Sequence, residues 1–94
     1  MKNFQPYKAK NQKEIFLFKS FLKLKTDHDV ANFLRDLLTI KELEEFANRL
    51  EMARLLKKGW SYKKIARELK VSTTTVTRTA HWLNHGAGGY EKVL

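Results

Sequence analysis

Thr73, Thr74, Thr77, Arg78 and His81 share one side of any helix built through them, because their offsets of one, four, five and eight residues follow the helical repeat. Val76 and Leu83 fall on the opposite side. Side chains of this kind can reach base edges or phosphates of a duplex. Threonine brings a methyl for thymine and a hydroxyl that serves either polar partner. Ser72, at the start of the same helix, joins the set. Lys63, Lys64 and Arg67 lie one short helix upstream and suit phosphate anchoring better than base reading. The plain alternative is a solvated face with solubilising charge. For the threonines that alternative is weakened by their poor helix propensity, which makes an exposed cluster costly without another use.

These residues need a rigid mount, and the sequence supplies one. Ser61 and Ser72 are both good N-caps, each preceded by an apolar residue and followed by another four places after the cap. Trp60 is positioned to staple onto Ile65, and Val71 onto Val76. Ile65, Ala66 and Leu69 form an inward face, Val71 closes the corner, and the small Ala66 admits close helix approach. Two short helices meeting at a tight turn is the layout of a helix-turn-helix reader of DNA. Two positions depart from it. Lys70 stands at the turn where glycine is usual, and Thr79 stands where an apolar residue is usual.

The charge agrees with a polyanionic partner. The 94 residues carry a net charge of +9 with a pI near 9.9, and a basic domain concentrates polyanions around itself. The excess is uneven: residues 1–25 have seven lysines against Glu14, residues 26–58 are close to balanced, and residues 59–94 have six basic side chains against two acidic. A chain this short builds a marginal core, so oligomerisation is expected. The apolar stretch Ile15–Leu24 is interrupted by Lys19, Ser20 and Lys23, too short to cross a bilayer and unlike a secretion signal. A soluble, cytoplasmic protein without membrane contact is expected, and the absence of cysteine fits that address.

The chain reads as a single domain over 1–94, nearly all helix, with no strand pattern or repeat. Residues 1–9, containing Pro6, form a flexible basic arm in which Lys2 and Lys8, joined by the following Lys10 and Lys13, either cross the DNA backbone or stay solvated. Residues 10–59 hold the dimerisation and core helices. The first, from about Lys10 to Leu24, is apolar on more than one face; Thr26-x-x-Asp29 opens a second; Thr39-x-x-Glu42 is a capping box that opens a third, ending at Gly59. The helix-turn-helix occupies 60–84. Residues 85–94 are a glycine-rich break, at Gly86, Gly88 and Gly89, and a short last turn. Trp60 and Trp82 are expected in the core. No catalytic pattern is present, and no enzyme is expected. His81 and His85 have a zinc-compatible spacing, but His28 and Glu91 are unspecific third ligands, so neither a metal nor a cofactor is expected.

Phe33-Leu34-Arg35-Asp36-Leu37-Leu38-Thr39, Arg49, Leu55-Leu56-Lys57-Lys58-Gly59-Trp60-Ser61 and Thr75-Val76-Thr77-Arg78 together resemble the tryptophan repressor (TrpR) superfamily. The ending Leu83-Asn84-His85-Gly86-Ala87-Gly88-Gly89-Tyr90 is similar to its YerC/YecD branch. The resemblance covers roughly residues 10–94. It implies an all-α fold, an intertwined homodimer built on the N-terminal helices, and reader heads that enter successive major grooves of double-stranded DNA. It also implies that Arg49 and Arg78 stand at the two pocket arginines of the repressor. Thr79 and Trp82 replace the glycine and serine that there leave room for the ligand, so free tryptophan is not expected as corepressor. The resulting expectation is a sequence-specific DNA-binding transcriptional regulator, acting as a repressor. A generic helix-turn-helix subunit of a larger complex and a helical protein–protein interaction module are the alternatives.

Overall fold

The computed structural model describes residues 2–94, which contain six helices and no strand. The chain divides into two compact units, Tyr7–Glu44 and the combination of the N-terminal residues to Pro6 with Glu45–Leu94.

In the Tyr7–Glu44 unit, helix α1 spans Gln12–Phe21. It begins slightly later than the apolar pattern suggests because Asn11 caps it, its side chain accepting a hydrogen bond from the Glu14 N–H at 3.0 Å. Glu14 in turn accepts from the Lys10 N–H and the Tyr7 hydroxyl. These bonds hold its carboxyl below the usual carboxylate range and push the Tyr7 phenol up. Beyond Phe21 the expected helix tightens: Lys23 and Leu24 donate to the carbonyls three residues back, which is 3-10 geometry. Helix α2, Asp27–Leu37, is capped by Thr26 as the sequence indicates, with Thr26 Oγ1 accepting from the Asp29 N–H and the Asp29 carboxylate accepting from the Lys25 N–H. The Phe21 and Phe33 rings meet edge to face at 5.3 Å. No residue of α1 or α2 is buried. Phe16 and Leu22 are 72% and 83% exposed.

Helix α3, Ile40–Lys57, opens on the predicted capping box: Thr39 N–H donates to the Glu42 carboxylate and Glu42 N–H to Thr39 Oγ1. It runs on into the second unit and stops at Gly59, whose φ of +89° suits a residue without Cβ. There Gly59 N–H donates to Leu56 O and Trp60 N–H to Leu55 O, the paired bonds of a Schellman ending.

Helices α4, Tyr62–Leu69, and α5, Thr73–His85, follow, with Ser61 and Ser72 capping as predicted. Met52 and Leu55 of α3, Ile65 and Ala66 of α4 and Val76 of α5 form the core, with Trp60, Leu69 and Val71 packed against it. Ile65 and Val76 are fully buried, each stabilising by about 1.5–3 kcal/mol. The connection between α4 and α5 is tight because Lys70 is left-handed, φ 57° and ψ 46°, which lets Ala66 O accept from both the Lys70 and Val71 N–H groups. Thr79 is buried, its hydroxyl donating to Met52 Sδ at 3.9 Å. Trp60 is half-buried, but Trp82 is 60% exposed and is not a core residue. Gly86 closes α5 by donating to Trp82 O. Helix α6 is the short segment Gly89–Val93.

Candidate nucleic-acid interface and adjoining cleft

Since Val76, Thr79, Ala80 and Leu83 are the buried side of α5, the helical repeat turns Thr73, Thr74, Thr77, Arg78 and His81 outward, and all five are exposed. Thr77 Oγ1 donates to Thr73 O at 2.9 Å. Its donor is thus used within the helix, while its methyl and oxygen lone pairs remain available. Ser72 has a structural duty: Oγ accepts from the Thr75 N–H and lies 3.0 Å from Thr75 Oγ1. It sits at the leading end of α5 as a cap first.

On α4 the buried Ile65 and Ala66 leave Lys63, Lys64 and Arg67 exposed. They are not equivalent. Lys64 Nζ stands 4.0 Å from the centroid of the Trp60 ring, a cation–π contact that restrains the ammonium. The His81 and His85 rings lie 5.2 Å apart on successive turns, tilted by 42°, but among the described residues no group of three metal-ligating side chains occurs.

Beside the interface lies a cleft of about 760 Å³. Its lining joins all four positions singled out for a pocket, Arg49, Arg78, Thr79 and Trp82, with Met52, Thr75, Tyr90 and the turn Gly86, Ala87 and Gly89. Arg49 carries its guanidinium 5.6 Å over the Phe46 ring. Burial pushes the Tyr90 phenol up, with the Arg49 charge opposing. Two guanidiniums, two aromatic rings and three hydroxyls, those of Thr75, Thr79 and Tyr90, thus line one cleft. Sequence reasoning missed Tyr90 and Met52. For Tyr90 the signal was the Gly86–Gly89 break, which can return the chain toward the helix it has just left.

The fold and site define a small all-helical domain with a helix-turn-helix. A family profile described as "Trp repressor protein" matches residues 12–94. The chain is 44% identical over 78 residues to the uncharacterized protein YerC of Bacillus subtilis (strain 168), covering 83% of this chain and 75% of YerC. It is also similar to the crystal structure of a TrpR-like protein from Eubacterium eligens ATCC 27750, with a TM-score of 0.82, 34% identity, and 89% and 87% of the two chains covered. The chain therefore belongs to the Trp repressor family, on the YerC branch. No helix among the described residues is long and apolar enough to cross a membrane.

Proposed function

We propose that this chain is a cytoplasmic, sequence-specific transcriptional regulator, acting as a repressor, that binds double-stranded DNA as a homodimer. The observation that carries the reading is the outer face of α5: threonines, an arginine and a histidine on a helix whose other side is anchored in the core. Thr73, Thr74, Thr77, Arg78 and His81 meet base edges in the major groove. Lys63, Lys64 and Arg67, with the Ser72 end of α5, meet the flanking phosphates. Membership of the Trp repressor family supports this reading. The reading includes no enzymatic activity and no metal or other cofactor.

Binding to genomic fragments, followed by anisotropy at several salt concentrations, tests it. A preferred sequence and a steep salt slope are expected. Thr74→Ala or Thr77→Ala should relax preference at particular base pairs by about 1–3 kcal/mol. Uniform loss over all sequences would show that this face reads no bases, and absence of any salt-dependent binding would favour a protein–protein interaction module.

A further inference from the structure

The segment after α5 has little of its own to hold it. Helix α6 is five residues long, and its N-cap, Gly88, offers no side-chain bond. So short a helix does not persist alone. Yet Gly86, Ala87, Gly89 and Tyr90 form one wall of the cleft.

The fixings come from the other end of the chain. The Gln5 N–H donates to Gly86 O at 3.0 Å. The Phe4 ring lies flush on Gly88, where a Cβ would come within 3.2 Å of Cδ2, and Gly88 has a φ of +87°. The Lys2 ammonium meets the Glu91 carboxylate at 2.7 Å, and Lys57 of α3 approaches the other oxygen at 3.7 Å. The ammonium of Lys2, and more weakly that of Lys57, holds the Glu91 carboxyl below the usual range. A main-chain bond, an aromatic contact and an ion pair thus fall in register along residues 2–5, against 86–91.

We propose that residues 2–6 are an intramolecular strap that holds the Gly86–Tyr90 wall of the Arg49–Arg78 cleft, so that seating of the strap fixes the shape of the cleft. Phe4 is the anchor, because its ring packs so close to Gly88 that a Cβ there would crowd it. Lys2 adds an exposed, salt-screened ion pair. The strap does not depend on α5 reading DNA.

Amide hydrogen exchange of the full chain without nucleic acid, comparing wild type with Phe4→Ala, Phe4→Leu and Lys2→Met, tests the strap. Phe4→Ala should speed exchange across Gly86–Leu94 by about tenfold or more while leaving α4 and the first half of α5 unchanged, as expected of a local opening. Phe4→Leu should keep most of the protection. Lys2→Met should have a smaller effect, imitated in wild type by added salt. Unchanged exchange at Gly86–Leu94 in Phe4→Ala would overturn the strap. So would an equal acceleration through α3, α4 and α5, which would make Phe4 a general contributor to stability.

Discussion

The Lys64 ammonium rests 4.0 Å from the centroid of the Trp60 indole, across the first turn that Ser61 caps. Lys63, one residue earlier, has no such restraint among the described contacts. Under the proposed DNA-binding reading, either lysine changed to alanine should lower the salt slope by about one and weaken all sequences alike. Only Lys64→Ala should also reduce folding stability, by about 0.5–1 kcal/mol for the lost cation–π contact. Anisotropy titrations over a range of salt, with urea midpoints on the same proteins, check both parts.

Lys70 is the one non-glycine residue with a left-handed backbone among those described. The conformation costs a side-chain-bearing residue about 1–2 kcal/mol. Glycine removes that strain but loses more entropy on folding, about 0.5–1 kcal/mol. Lys70→Gly should therefore stabilise by up to about 1 kcal/mol, and Lys70→Val should destabilise. Denaturant midpoints decide the matter, and a less stable Lys70→Gly protein would mean that the lysine side chain has a compensating contact.

The caps were the most legible part of the fold. Thr26, Thr39, Ser61 and Ser72 each accept the hydrogen bond that their spacing to Asp29, Glu42, Lys64 and Thr75 implies, because a cap is decided within four residues. Asn11 was missed since no apolar break marks it. Trp82 was misplaced for a different reason: a large aromatic ring suggests a core, but whether it faces the core depends on how α5 meets α3. Thr79 shows the converse, a polar residue on the buried side that finds a sulfur for its hydroxyl. The cleft was legible only through the family resemblance, as its walls come from α3, α5 and the chain after Gly86.

The exposure of Phe16, Phe18 and Phe21 on α1, of Leu22 just after it and of Leu37 on α2 concerns assembly. Apolar side chains so placed would be costly to leave in water, and the proposed homodimer covers them. Sedimentation at micromolar concentration should give a dimer. Leu22→Glu should yield a monomer or an unfolded chain, since a charge buried without a partner is expensive. A well-folded wild-type monomer would refute the dimer, and a dimeric Leu22→Glu protein would remove α1 from its interface.

Arg49 and Arg78 both line the cleft, so the anionic half of an amino-acid ligand still has two guanidiniums to meet. Thr79 is buried with its hydroxyl committed to Met52, and it fills a position where the resembled repressor has only glycine. The indole of Trp82 stands on the cleft wall, its neighbour His81 edge-on at 5.3 Å. In the proposed reading, the chain itself supplies the aromatic group at the place where the resembled repressor receives it from its ligand. Free tryptophan should accordingly show no saturable binding at micromolar concentration by calorimetry, and DNA affinity should be the same with and without it. Binding that also tightens the DNA complex would overturn this, because an effector shifts an equilibrium only through different affinities for its two states.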